Sequence, residues 1–374
     1  MHSYRPVAFS SANRCLAAID GTAHVHRQSP VSGLLSFINS VGRRKPSSME
    51  KLRRTYEDVG QQRSQCSTLT VLQWNVLADG LAQNGDFQRV SQQVLSWESR
   101  SPQILQEIVE SQADLICLQE VNRYEDFFKP SLERLGYRGI FWPKACSPAE
   151  QYGYPCDGCA LFYRAERLEL IGSPQGQPFK MAGGVNGKQG MLHAVFHDRH
   201  AGCAIVAATT HLKAKAGQAN EAARQAQAQL MMGRLSAAAA GISSAACNGT
   251  SSAAERDPLV ILCGDFNDSP PSPACQVVRD HHLGLECIWD AHPPNSAASN
   301  GASCPEKEPF TTWKFRSDGA SKRTIDFIWY SRDPRLRLLR RWRMPSEADI
   351  GESGLPCEGY PSDHLSLCAV FEIS

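Results

Sequence analysis

Short, continuous apolar runs recur along the chain, separated by polar or amphipathic stretches, and each run stops at a polar side chain. Leu69-Thr70-Val71-Leu72-Gln73-Trp74 reads as a strand ending at Asn75, after which Ile104, Leu105, Ile108 and Val109 recur at helical spacing. Asp114-Leu115-Ile116-Cys117-Leu118-Gln119 is a second strand, ending at Glu120, and Cys203 to Thr210 is a third, ending at His211. Leu259 to Cys263 runs into Gly264-Asp265-Phe266-Asn267, Ile325 to Tyr330 contains Asp326, and Leu365 to Phe371 follows Ser362-Asp363-His364. Strands this uniformly apolar are buried on both faces, which requires layers outside the sheet, so the expected fold class is α/β.

The ends of the chain and two inner stretches break this pattern. Before Met49 there are six Lys/Arg residues, abundant serine and one acidic residue, Asp20, while Leu34, Leu35, Phe37, Ile38 and Val41 fit one face of a short helix. That composition belongs to a mitochondrial transit peptide and equally to a disordered tail, and Met49 offers an internal start without it. The expected division is a disordered segment over 1–65 and one domain over 66–374. The Ala/Ser-rich stretch 236–256 reads as a low-complexity surface insertion, and Pro- and Ser-rich 292–306 as another loop.

Composition narrows the classes further. A hydrophobic content of 42% supplies a core, and a net charge of +1 argues against a broad nonspecific nucleic-acid coat. No run reaches the roughly 18 apolar residues of a membrane-spanning helix. The fourteen cysteines are scattered singly behind no secretory signal. They read as reduced thiols of an intracellular protein, mitochondrial and/or cytoplasmic. Cys156-Asp157-Gly158-Cys159 is one CxxC without a second, weak grounds for zinc or redox chemistry. Nothing in the sequence names a protein partner.

The residues that end the apolar runs carry the chemistry: Asn75, Glu120, His211, Asp265, Asn267, Asp326, Asp363 and His364. Taken singly, each has an ordinary use in closing a turn or capping a helix. Gathered at the ends of buried strands, where α/β proteins collect their functional groups, they form a coherent set. Mg²⁺ takes hard oxygen ligands of this kind. Imidazoles and an amide hold phosphate oxygens, and a carboxylate orients an attacking water.

Gln73-Trp74-Asn75-Val76-Leu77, Leu118-Gln119-Glu120-Val121, Thr210-His211-Leu212-Lys213, Gly264-Asp265-Phe266-Asn267 and Ser362-Asp363-His364-Leu365 resemble the motif series of the endonuclease/exonuclease/phosphatase superfamily. The resemblance runs from about Leu69 to the C-terminus. It implies a DNase I-like four-layer α/β sandwich with the site at one edge. It also implies Glu120 as the principal Mg²⁺ ligand with Asn75 beside it and Asp363 at or near the metal. Asp265 is then the residue that aligns or deprotonates water, Asn267 and His211 hold phosphate, and His364, oriented by Asp326, stabilises developing charge.

Further stretches, Phe141-Trp142-Pro143-Lys144, His211-Leu212-Lys213-Ala214-Lys215 and Thr311-Thr312-Trp313-Lys314-Phe315-Arg316, place the chain beside the carbon-catabolite-repressor type deadenylases of that superfamily. Those enzymes carry an aromatic residue and then Trp after the histidine, where this chain has lysines. Successive bases of poly(A) stack on aromatics, whereas a compact phosphomonoester takes cations. The resemblance to a phosphatase branch therefore implies a basic pocket of Lys144, Lys213, Lys215 and Arg316, the last suited to bidentate phosphate contact. It implies removal of the 2′-phosphate of NADP⁺ and NADPH. The chain departs from that branch at Lys215, where it has Arg, and at Gln218-Ala219-Asn220, where it has Trp. Two alternatives stand beside this reading: a poly(A)-specific 3′-exoribonuclease acting on RNA, and an inactive RNA- or protein-binding scaffold.

Overall fold

The computed structural model describes residues 51–63, 66–180, 186–246, 257–291 and 309–374. The expected leader before Met49 and the loop 292–306 lie outside these residues. Fifteen strands follow one another among the described residues: β1 Tyr56–Asp58, β2 Ser67–Asn75, β3 Leu115–Val121, β4 Tyr137–Pro143, β5 Gly158–Arg164, β6 Leu168–Lys180, β7 Asn186–Asp198, β8 Cys203–His211, β9 Leu259–Asp265, β10 Leu285–Cys287, β11 Thr312–Arg316, β12 Gly319–Arg323, β13 Asp326–Ser331, β14 Leu336–Trp342 and β15 Leu367–Ile373. They form a seven-stranded sheet in the order β1-β14-β15-β2-β3-β5-β4, a six-stranded sheet in the order β10-β13-β9-β8-β7-β6, and the separate hairpin β11-β12.

Side-chain alternation explains why the apolar runs are continuous. On β2, Leu69 and Val71 enter the core between the sheets, while Leu72 and Trp74 face the other way. On β3, Leu115 and Cys117 point inward and Ile116 and Leu118 outward. The outer face of this sheet is covered by the helix Trp97–Ser111, which starts where the Ser96 side chain accepts from the Ser99 N–H and buries Ile104, Leu105 and Ile108. The six-stranded sheet is covered by the helix Gln218–Ala246, through Ala228, Met231, Met232 and Leu235, and by the helix Pro273–Asp280. The result is helix, sheet, sheet, helix: the four-layer α/β sandwich.

Two connections place the chemistry. β2 and β3 are parallel, and so are β8 and β9. Each parallel pair brings two strand C-termini to the same edge. The close approach of β8 and β9 also explains Gly264. A Cβ built there would lie 2.6 Å from the Thr210 carbonyl oxygen and 2.7 Å from Thr210 Cγ2. Gly264→Ala is expected to destabilise the fold by about 1–3 kcal/mol, read from urea unfolding; an unchanged midpoint would show that the strands have room to part.

The domain begins earlier than residue 66. β1 pairs with β14, Tyr56 opposite Trp342, and the N–H groups of Val59 and Gly60 donate to the Leu339 carbonyl at 2.8 and 2.9 Å. Leu52 is buried, and the Arg54 guanidinium sits 4.8 Å from the Trp342 ring centre. This stretch looks like polar lead-in because it docks through charged and aromatic groups rather than an apolar run. Residues 236–246, read as the start of an insertion, continue the helix Gln218–Ala246; residues 247–256 lie outside the described residues. Among the described residues eleven cysteines are free, seven of them buried, and no helix is long and apolar enough to cross a membrane.

Candidate active site

Asn75, Glu120, His211 and Asp265 end the two parallel strand pairs, and Asp326 stands directly opposite Asp265 across β13 and β9. Asn75 Nδ2 lies 3.0 Å from both Glu120 Oε1 and Asp265 Oδ2, so one amide ties a carboxylate of each sheet. Asn75 Oδ1 accepts from the Leu77 N–H at 3.1 Å, and Glu120 Oε2 from the Ala78 N–H at 3.1 Å. The pairing of β3 with β5 shifts register between Leu118 and Val121, and Glu120 sits in that irregularity at φ 57°. Asn267 is similarly held at φ 53°. Left-handed backbone at non-glycine residues costs energy and gathers where a side chain must be aimed.

Behind these residues two buried glutamines lock the sheets in register. Gln73 and Gln119 exchange hydrogen bonds of 3.0 and 2.7 Å, and then each reaches the other sheet. Gln73 Nε2 donates to Asp326 Oδ1 at 3.1 Å and Gln119 Nε2 to Thr209 Oγ1 at 2.9 Å.

The two histidines flank one carboxylate oxygen. Asp265 Oδ2 lies 3.5 Å from His211 Nε2 and 3.7 Å from His364 Nε2, while Asp265 Oδ1 accepts from the Asn267 N–H at 2.8 Å. His364 Nδ1 meets Asp326 Oδ2 at 2.9 Å, and Thr311 Oγ1 donates to the same oxygen at 2.7 Å. Their surroundings push the two imidazoles apart. Burial works against the charge of His364, but Asp326, Asp265 and Asp363 outweigh it and raise its pKa to about 9. Burial and then the Lys144 ammonium depress His211 to about 4. At neutral pH His364 is a cation and His211 is neutral.

Two of the four expected basic residues, Lys144 and Arg316, have acidic partners. Lys144 Nζ lies 2.5 Å from Asp157 Oδ2 and 3.3 Å from His211 Nδ1. Burial disfavours its charge, but Asp157 and Glu120 more than offset that and hold its pKa above the ordinary value. Asp363 is met by Lys314 Nζ at 2.7 Å and Arg316 Nη2 at 3.4 Å. Burial opposes ionisation there, yet Lys314, His364 and Arg316 keep its carboxyl far below the usual range. Asp363 thus spends its charge on two cations. Arg316 also stacks 3.7 Å over the Phe87 ring. Lys213 is half-buried and Lys215 exposed, and among the described residues no hydrogen bond or ion pair engages either ammonium.

Several contributors were not legible as site residues. Lys314 alternates with Arg316 on β11, and that two-residue spacing puts both on one face of the strand. Asp157 was seen only as part of a CxxC. Arg100 lies fully buried under the edge, donating to the carbonyls of Pro361 at 2.7 Å, Val76 at 2.8 Å and Leu77, with its pKa drawn down by burial to about 10. Two surface hollows of about 580 and 510 Å³, one beside the helix Pro273–Asp280 and one over Trp313 and Phe315, touch none of the strand-end residues.

Carboxylates of both sheets lie close together at this edge, Glu120 and Asp265 each 3.0 Å from Asn75 Nδ2. Asp265, Asp326 and His364 also bring one ligand-type atom each within 4.8 Å of one another. In that trio His364 is a cation already bonded to Asp326, which leaves the Glu120 side as the better seat for a metal.

Residues 72–364 match the Endonuclease/Exonuclease/phosphatase family, and the chain belongs to it. It is a phosphoester hydrolase of that family. Within the family it is similar to Nocturnin of Rattus norvegicus, 36% identical over 319 residues that cover 83% of this chain and 68% of the relative. The human Nocturnin catalytic domain with bound sulfate anion superposes with a TM-score of 0.65 at 30% identity, over 88% of this chain and 100% of that one. A more distant relative is the CCR4-Not complex 3′-5′-exoribonuclease subunit Ccr4 of Neurospora crassa, 24% identical over 82% of this chain and 45% of its own length.

Proposed function

We propose that this protein is a Mg²⁺-dependent phosphatase that removes the 2′-phosphate of NADP⁺ and NADPH, giving NAD⁺ and NADH. The observation that carries the reading is the pair Lys213 and Lys215, two and four residues beyond His211, whose ammonium groups no hydrogen bond or ion pair engages among the described residues. Lys144 and Arg316 add positive charge but share it with Asp157 and Asp363. Uncommitted cations at that point suit a compact dianion better than a row of stacked bases. The human relative's catalytic domain carries a bound sulfate anion, which is in keeping with oxyanion recognition by a domain of this kind.

The donor set fits a small hard cation, because the Glu120 and Asp265 carboxylates, from different sheets, are drawn together around the Asn75 side chain, whose amide oxygen keeps a lone pair beyond the Leu77 N–H. Glu120 with Asn75 would hold it, and when bound it supplies Lewis-acid polarisation of a phosphoryl oxygen. The remaining work falls to the chain. Asp265, fixed through both oxygens, accepts the proton of the attacking water. His364 donates from Nε2 to a phosphoryl oxygen as negative charge builds, with Asp326 and Thr311 holding its other side. Lys144 faces His211 Nδ1, which leaves the proton on Nε2, aimed at Asp265 and the phosphate.

The test incubates the full chain and its Glu120→Ala variant with Mg²⁺ and either NADPH or labelled oligo(A), following phosphate release and chain shortening. Phosphate from NADPH with intact oligo(A), and neither from Glu120→Ala, is the expected result. Shortened oligo(A) with untouched NADPH would transfer to this chain the exoribonuclease activity for which the Neurospora crassa relative is named.

A further inference from the structure

Two buried charges take no part in the chemistry above. The side chain of Arg54 is 2% exposed and that of Glu107 is 0% exposed, with Arg54 Nε 3.8 Å from Glu107 Oε1. Arg54 belongs to the segment that runs into β1, and Glu107 to the helix Trp97–Ser111. Both converge on Ser366, two residues beyond His364. Arg54 Nη2 donates to the Ser366 carbonyl at 2.7 Å, and Ser366 Oγ donates to Glu107 Oε1 at 2.7 Å. The Ser366 N–H in turn donates to the Tyr360 hydroxyl at 2.8 Å. The Tyr360 ring packs 5.7 Å from that of Trp74, and Trp74 Nε1 donates to the His364 carbonyl at 2.7 Å. The same segment grips the loop upstream, where the Leu52 N–H donates to the Gly359 carbonyl at 3.2 Å, and Lys51 Nζ lies 3.2 Å from Glu107 Oε2.

We propose that Arg54 and Glu107 are positioning residues for His364, so that the segment Lys51–Asp58 belongs to the catalytic apparatus. Stability alone does not call for such a pair, since well-packed apolar residues often match or exceed a buried ion pair. What the pair adds is direction. Every polar group of Ser366 is bound, which fixes the chain on the C-terminal side of His364 as Asp326 fixes its ring. A misplacement of about 1 Å in a catalytic group costs on the order of 10²-fold in rate, so a short peptide far from the phosphate is under functional constraint. Cleavage of a leader beyond Lys51 would remove part of this support.

The proposal rests on the assignment of His364 to the reacting phosphate. In the full chain, Arg54→Met, Arg54→Lys and the double variant Arg54→Met/Glu107→Gln are compared with the parent. The double variant leaves neither charge of the pair buried alone. One readout is kcat and KM per folded molecule, with folding checked by near-ultraviolet circular dichroism. The other is the downfield proton resonance of the His364 Nδ1–H, identified by its loss in His364→Ala. The expected result is a kcat lowered roughly 10- to 100-fold with KM unchanged and a shifted or broadened resonance, both partly restored in Arg54→Lys. A folded double variant with the parent's kcat and the parent's resonance overturns the proposal. Full turnover by His364→Ala would instead refute the role of His364, which the resonance readout keeps separate from its positioning.

Discussion

Asp326→Asn is expected to turn over roughly 10⁴-fold more slowly than the parent, with its fold and its substrate affinity intact. Both oxygens of the carboxylate are in use. Oδ2 takes the His364 Nδ1–H at 2.9 Å and the Thr311 hydroxyl at 2.7 Å, while Oδ1 takes the Gln73 amide at 3.1 Å. An amide has one oxygen for these donors. If its nitrogen faces His364, the ring must present a lone pair at Nδ1 and cannot carry the positive charge that the parent site favours. If its nitrogen faces Gln73, two N–H groups collide and the glutamine pair between the sheets is disturbed. Either way the preorganised cation at His364 is lost. Steady-state kinetics beside a thermal melt decide it: a drop of less than tenfold, with the melt unchanged, would mean that His364 does not act as a cation.

Asp265→Asn is expected to lose roughly 10²–10⁴-fold in kcat, the range of a positioned general base. Oδ2 lies 3.0 Å from Asn75 Nδ2 and within 4 Å of both imidazole Nε2 atoms, and the Asn267 N–H occupies Oδ1. Each of these four partners presents a nitrogen, so an amide nitrogen at either position faces another N–H. The substitution changes no volume, which separates the loss of a proton acceptor from the loss of packing. Single-turnover measurements at saturating Mg²⁺ test it; a chemical step as fast as the parent's would move the base elsewhere.

The architecture was legible because the core strands are buried on both faces, which leaves them mostly apolar until they end. Leu69 to Trp74 and Leu115 to Gln119 carry only Thr70, Gln73 and Gln119 as polar residues, and the Asn75 and Glu120 that follow them meet in space. What escaped has the opposite character. β6 is largely polar and half-exposed, so it shows no run, and the helix Gln218–Ala246 is so rich in alanine and glutamine that its periodicity is faint. The segment from Lys51 to Asp58 is charged and aromatic, and its value depends on Glu107 and Trp342, far away in the chain. At this edge the residues that terminate strands show in the sequence as the ends of apolar runs, and two ionic partners of the expected residues do not. Asp157 beneath Lys144 and Lys314 on Asp363 are pairings across long sequence separations, which only a folded chain reveals.

The site straddles a seam. Asn75 and Glu120 belong to one sheet, His211, Asp265 and Asp326 to the other, and the apolar core between them is bridged at this edge by Gln73 and Gln119. The hydrophobic drive that holds the sheets together is non-directional, whereas hydrogen bonds across the core are directional and fix the register at this edge. The paired glutamines therefore act as a dowel, and the distances between water, base and phosphate inherit whatever tolerance that dowel allows. A slip of a few tenths of an ångström would leave every strand hydrogen-bonded and every helix intact, yet carry the metal side of the reaction away from the proton-handling side. Catalysis in this fold is in that sense a gauge of alignment: gentle heat or pressure should silence the enzyme while its backbone spectrum still looks native.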